Sequence, residues 1–279
     1  MGHTIKGLFK LSRPLSTLTG VLAVFLGGYV AGTGAWDKVI LAALATLFVA
    51  ASSNAWNDYR DIDIDRINQP QRPLPSGMVR PRAALIFSLV LAALSVVLAA
   101  FINPAALAIV IATNILLYIY SVWLKSTVLL GNATIALISA MSPVFGGVAA
   151  GNVRPSLWLG AIVFVGILGR EVLKTLADYE GDKANGVRTI ATAIGPRAAR
   201  TVFFILLGAT ALVMLAPYFF GDYKRIYVFI VGLGVFPVAI YVIIRVTRDR
   251  SGPQLERLSQ YLKYDFLVWF LAVLLGASV

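Results

Sequence analysis

The run Asn57-Asp58-Tyr59-Arg60-Asp61-Ile62-Asp63-Ile64-Asp65-Arg66 puts an amide and four carboxylates into ten residues. If the helix before it continues, Asn57, Asp58, Asp61 and Asp65 share one face, because steps of three and four residues return to the same side; Asp63 points elsewhere. Oxygen donors stacked in this way suit a hard cation such as Mg²⁺, which prefers carboxylate, phosphate and water. A second run, Asp178-Tyr179-Glu180-Gly181-Asp182-Lys183, repeats the i, i+4 spacing with Asp178 and Asp182. Two such sets at one pocket can hold metal against a diphosphate and neutralise charge developing on a leaving group. A solvated acidic helix end is the plainer alternative for the first run.

The remaining inventory narrows the chemistry. There is no cysteine, and the single histidine, His3, sits at the extreme N-terminus and is read as incidental. That excludes thiolate metal sites, Cys nucleophiles and a His base. Arg72, Lys125, Lys183 and Arg188 supply cations near the acidic runs, as a phosphate site requires. For Lys125, a lysine reaching from a helix end to the membrane surface is the competing explanation.

These residues are positioned by apolar segments. Of 279 residues, 59% are hydrophobic and 13% charged, about half the charge of a soluble domain at roughly 25%. Nine spans are expected, near 15–33, 38–56, 83–102, 104–122, 127–150, 156–177, 199–218, 226–245 and 261–278. The basic N-terminus runs directly into the first of them, which is expected to be a retained helix rather than a cleaved signal. The N-terminus and the loops after the even-numbered spans, with their flanks, hold all Lys and Arg except Lys38, Arg154, Lys224 and Arg225. That asymmetry places the N-terminus, and both acidic runs, on the cytoplasmic face. It also accounts for a net charge of +11 through positive-inside bias and anionic lipid, without nucleic acid. Carboxylates beside a membrane span repel one another unless a cation intervenes, which favours the metal reading. The acidic runs follow the second and sixth spans, a spacing that a duplicated four-helix unit would produce.

Asn57 to Asp65 resembles the N-D-x-x-D-x-x-x-D signature of UbiA-type intramembrane prenyltransferases, and Asp178 to Asp182 their D-x-x-x-D. The resemblance covers the whole chain, which is expected to be a single domain, 1–279, with acidic loops at about 57–82 and 178–198. It implies an all-α membrane protein of nine transmembrane helices around a lipid-facing cavity. It also implies Mg²⁺-dependent transfer of a prenyl group from an isoprenyl diphosphate to a lipophilic acceptor in the cell membrane. By similarity, Asn57, Asp61, Asp178 and Asp182 are direct metal ligands, and Asp58 and Asp65 complete the set. Arg72, Lys125, Lys183 and Arg188 hold the diphosphate. Tyr120 lies near the allylic carbon, where an aromatic face stabilises a carbocation; membership of an interfacial aromatic belt is the alternative for it.

Arg66-Ile67-Asn68-Gln69-Pro70-Gln71-Arg72-Pro73-Leu74-Pro75-Ser76-Gly77 and Gly169-Arg170-Glu171-Val172 resemble the geranylgeranylglyceryl phosphate geranylgeranyltransferase group. This implies geranylgeranyl diphosphate as donor and Arg170 as a contact to the acceptor's phosphate. That group tends to carry acids where Thr175 and Ala177 stand here, so chlorophyll synthase-type and aromatic, quinone- or homogentisate-type acceptors remain alternatives. A cation transporter would also place carboxylates in membrane helices, but would not need the accompanying Arg and Lys. A CDP-alcohol phosphotransferase would require a D-G-x-x-A-R start that is missing.

Overall fold

Proline sets the start of many of the helices, because it lacks the N–H that a first turn leaves unbonded anyway. In the computed structural model, which describes residues 2–278, Pro14, Pro81, Pro104, Pro196 and Pro253 all occupy first-turn positions. The long helices are α2 (Pro14–Val30), α3 (Trp36–Arg60), α5 (Pro81–Ala100), α6 (Pro104–Val122), α7 (Leu130–Ala149), α8 (Arg154–Ala177), α11 (Pro196–Phe219) and α14 (Gly252–Gly276). Shorter ones are α1 (Gly2–Leu11), α4 (Ile62–Asn68), α9 (Tyr179–Ala184), α10 (Ile190–Ile194), α12 (Arg225–Ile230) and α13 (Phe236–Arg248). A π turn, Val231–Val235, joins α12 to α13. Pro237 explains the turn, since its ring cannot accept the α-helical packing of the carbonyl four residues back.

Among the described residues, eight helices are long and apolar enough to cross a membrane, and a ninth apolar segment, Thr17–Val30, is shorter. The chain is therefore an all-helical, multi-pass membrane protein. The expected spans agree within a few residues, with one exception. The last was expected at 261–278, whereas α14 begins at Gly252. Its first turns alternate buried Leu255 and Leu258 with exposed Glu256 and Arg257, a one-sided apolar pattern whose charges resemble a loop. The side chain of His3 lies outside the described residues.

The chain divides into two compact units, residues 1–124 with 142–153 and residues 125–141 with 154–279. In the first, α3 is the central helix, packed on α2, α5 and α6. Polar groups tie it to its neighbours inside the apolar layer: Ser52 Oγ donates to the Ser88 carbonyl at 2.8 Å, Ser88 Oγ to the Ser52 carbonyl at 2.9 Å, and the Tyr118 hydroxyl lies 2.8 Å from Ser88 Oγ. Without water, such bonds and close backbone approach hold membrane helices together. Gly27 of α2 and Gly146 of α7 provide that approach, lying against the Pro143 and Val24 carbonyls. In the second unit, α8 packs on α11 and α14 over a core of Val172, Leu173, Phe203, Val242, Val246 and Leu258. Tyr227, fully buried, donates to the Met214 carbonyl at 2.7 Å and accepts from Trp269 Nε1 at 3.1 Å.

Candidate active site: two acidic joints

Asp61 and Asp178 occupy the same local structure. Each ends a long helix and begins a short one, with φ,ψ of −92°, 8° at Asp61 and −89°, 2° at Asp178, in the sparsely used bridge region. Helical bonding nevertheless runs through both joints. Asp61 N–H donates to the Asn57 carbonyl (2.9 Å) and Asp65 N–H to Asp61 (2.8 Å); Asp178 N–H donates to Lys174 (3.0 Å) and Asp182 N–H to Asp178 (2.8 Å). The continuous helix assumed for 57–65 is thus bent at Asp61.

In the first unit the acidic side chains separate into two groups. Asp58 (3% exposed) and Asp65 (5%) are buried. Asp58 Oδ1 accepts from Arg13, and Arg72 Nη1 stands 2.7 Å from Asp65 Oδ2 and 3.7 Å from Asp58 Oδ1. Arg72 is thus held between two carboxylates. Burial is sustainable here because each charge is paired; either one alone would be costly. Asn57 Oδ1 accepts from the Ser121 hydroxyl, and Asp61 is half-buried at the joint. Asp63 lies outside, paired with Arg66 at 2.8 Å. Tyr120 is half-buried near the end of α6. The Trp56 ring lies 4.7 Å from that of Tyr118 and 5.9 Å from that of Tyr59, tilted against both.

In the second unit, partial removal from water pushes the Asp178 carboxyl above the usual range; Asp182 and Glu256 add repulsion, and Lys174 offsets part of it. Burial also raises Asp182, against a hydrogen bond from Thr189. Glu171 is bonded to Lys174 at 3.0 Å and lies 3.7 Å from Arg170. Arg170 Nε donates to the Ser259 carbonyl at 3.2 Å. Lys183 is exposed, with its ammonium 5.6 Å from the Tyr179 ring, and Arg188 is exposed beyond it. Lys125 is exposed in a 3₁₀ turn, Leu124–Ser126.

The donor set fits a hard cation. The candidates are all oxygen atoms, and crowding of like charge at Asp178 is what a divalent ion would relieve. Among the described residues no three His, Cys, Asp or Glu side chains form a cage by themselves. Mg²⁺ is usually held by one or two carboxylates, with phosphate and water completing the shell.

Three site neighbours escaped sequence reasoning. Arg13 and Ser121 are far in sequence from the carboxylate and amide they bond. Glu256 comes from the α14 turns read as a loop. One neutral position finds an explanation: Thr175 is buried and donates to the Val172 carbonyl at 2.8 Å, facing a core where an acid would be unpaired.

The raised Asp178 carboxyl predicts a stability effect. Its folded form holds a proton more tightly than the unfolded chain, so the ionised group costs stability above the folded pKa and none below the unfolded one. In metal-free protein, Asp178→Asn therefore raises the melting temperature at pH 8, and the gain vanishes toward pH 4. Identical melting curves for the two proteins at pH 8 would contradict the assignment.

A family model described as the UbiA prenyltransferase family matches residues 18–275. The digeranylgeranylglyceryl phosphate synthase of Methanopyrus kandleri is 36% identical over 217 residues, 78% of this chain and 80% of that protein. The synthase of the same name from Pyrococcus furiosus is 31% identical across 98% of each. A solved structure described as a digeranylgeranylglyceryl phosphate synthase in membranes matches with a TM-score of 0.83 at 29% identity, covering 98% of both chains. A UbiA homolog from Archaeoglobus fulgidus bound to GPP and Mg2+ matches with a TM-score of 0.67 at 21% identity, over 94% of this chain and 99% of that one; that likeness speaks for the fold alone.

Proposed function

The chain belongs to the UbiA prenyltransferase family and transfers prenyl groups, and from that premise we propose that it joins geranylgeranyl, from geranylgeranyl diphosphate, to geranylgeranylglyceryl phosphate. The observation that carries this acceptor is the identity, above 30% over most or all of the chain, to synthases named for that product. The protein crosses the membrane nine times as a single prenyltransferase domain, with its N-terminus and its acidic joints toward the cytoplasm.

Asn57, Asp61, Asp178 and Asp182 hold magnesium in this reading. Magnesium bound there supplies positive charge to a departing diphosphate. Asp58 and Asp65 complete the acidic set from behind, keeping Arg13 and Arg72 in place. Arg72, Lys125, Lys183 and Arg188 bind diphosphate oxygens. Tyr120 offers its ring face to the allylic carbon, and Arg170 meets the acceptor's phosphate. The apolar surroundings exclude water, which would otherwise capture an allylic cation. With ionisation leading, the acceptor hydroxyl needs little help from a strong base, in keeping with a chain whose only histidine is His3.

Product identification tests the acceptor. Purified protein is given geranylgeranyl diphosphate, Mg²⁺ and, in parallel, geranylgeranylglyceryl phosphate, chlorophyllide and aromatic acids. Mass spectrometry is expected to find the doubly prenylated glyceryl phosphate at about 10,000-fold or more over any other product, the order of discrimination a site gains by matching a polar group. Preferential prenylation of chlorophyllide or an aromatic acid would overturn the acceptor while leaving prenyl transfer intact.

A further inference from the structure

Glu171 carries two cations on one carboxylate. The Lys174 ammonium lies 3.1 and 3.0 Å from its two oxygens, and Arg170 Nη1 stands 3.7 Å from one of them. All three residues belong to α8, and the Glu171 side chain is only 13% exposed. One acid against two cations leaves the trio one positive charge in excess, on a helix that crosses the membrane. Such a charge is costly to hold beside hydrocarbon unless an anion answers it. Attraction between Lys174 and Asp178 offsets part of it, but in the proposed reaction that carboxylate is committed to magnesium.

The donors left over define the anion. Lys174 uses no more than two of its three N–H groups on Glu171. Arg170 Nε donates to the Ser259 carbonyl at 3.2 Å, and its Nη2 edge makes no hydrogen bond among the described residues. A guanidinium edge beside an ammonium suits a phosphate monoester, which offers two charges and several acceptor oxygens.

Register along α8 distinguishes which phosphate. Arg170, Lys174 and Asp178 recur at steps of four and share one face. Lys174 stands one turn before Asp178 and Arg170 two turns, about 6 Å and 12 Å at the helical rise. The acceptor carries its phosphate and its reacting hydroxyl on one three-carbon glycerol. With the hydroxyl at the allylic carbon and the diphosphate at Asp178, the acceptor's phosphate falls about one turn away. That is the level of Lys174, with Arg170 reaching it from the turn beyond.

We propose that Lys174, positioned by Glu171, is a second cation for the acceptor's phosphate, and that with Arg170 it selects phosphate-bearing acceptors over neutral ones. This role rests on the reaction proposed above, to which it adds a determinant of specificity.

Acceptor selectivity of the purified full chain tests this, with geranylgeranyl diphosphate, Mg²⁺ and either geranylgeranylglyceryl phosphate or the same ether lacking its phosphate. Lys174→Gln is expected to raise the KM for the phosphate acceptor about ten-fold or more, the worth of one hydrogen bond between charged groups. The KM values for the neutral acceptor and for geranylgeranyl diphosphate, and the Mg²⁺ requirement, change by less than about two-fold. Glu171→Gln, which keeps the shape but releases both cations, raises the same acceptor KM about five-fold with a smaller effect on kcat. Lys174→Arg keeps the charge and recovers most of the selectivity. A shift in the diphosphate KM or the Mg²⁺ requirement, with the acceptor KM unmoved, would assign Lys174 to Asp178 and overturn the role. Unchanged selectivity in Lys174→Gln would overturn it too. Lys174→Met, which keeps the apolar stem, takes the place of Lys174→Gln if that variant does not fold. Equilibrium binding of the two ethers is measured beside turnover, in Mg²⁺ without the diphosphate. If the wild type prenylates a different acceptor the proposed reaction fails, while loss of the phosphate ether's binding advantage in Lys174→Gln still supports the role of Lys174. A wild type that binds both ethers alike overturns it.

Discussion

Alanine at Asp61 or at Asp178 lowers prenyl transfer by about 1,000-fold or more, the scale on which preorganised charge at a leaving group acts. The protein stays folded, because both joints are bonded through their backbone atoms, Asp61 N–H to Asn57 and Asp178 N–H to Lys174. Neither carboxylate is required to hold its helix. Asp63→Ala is the matched control: it removes a carboxylate from the same run, but one that is exposed and paired with Arg66, and activity stays within about two-fold, as for surface substitutions away from a site. Pyrophosphate release with geranylgeranyl diphosphate and Mg²⁺, followed beside a melting curve, measures both quantities. Near-normal release by Asp61→Ala in folded protein would remove that residue from the chemistry.

Gly27→Ala and Gly146→Ala abolish accumulation of folded protein. A Cβ on Gly27 would stand 1.8 Å from the Pro143 oxygen, and one on Gly146 2.0 Å from the Val24 oxygen. The obstacles are backbone carbonyls, so no side chain can turn aside, and α2 must separate from the end of α7. The loss exceeds about 4 kcal/mol, the range reached by severe overpacking. Gly208→Ala is the contrast. It meets nothing within 4 Å, and alanine favours a helix over glycine by up to about 1 kcal/mol. Gly208→Ala is therefore neutral or slightly stabilising. Yield, monodispersity by size-exclusion chromatography and melting temperature distinguish the three; a monodisperse Gly27→Ala with wild-type melting would refute the close approach.

Membrane crossings were legible because hydrocarbon demands long apolar runs, and proline marks where several of them start. What evaded sequence reasoning has particular causes. The first turns of α14 alternate Leu255 and Leu258 with charge, so a scan for apolar length passes over them. The π turn leaves no sign in periodicity, and only Pro237 hints at it. Within the site, carboxylate spacing identified the two acidic stretches, but not the bend at Asp61 or the partners of Asp58 and Asp65. Arg13 lies 45 residues from Asp58 and Ser121 64 residues from Asn57, separations that only tertiary packing closes.

Arg13 sits between α1 and α2 at φ 48°, a left-handed backbone that costs an ordinary residue about 1–2 kcal/mol and glycine almost nothing. Glycine at this position would relieve that strain. The guanidinium bonded to Asp58 would be lost with that change, leaving a buried carboxylate to depend on Arg72, 3.7 Å away, a loss of about 3–5 kcal/mol that exceeds the gain. Position 13 is thus a point where the backbone holds an unfavourable turn so that a buried acid keeps its counter-ion.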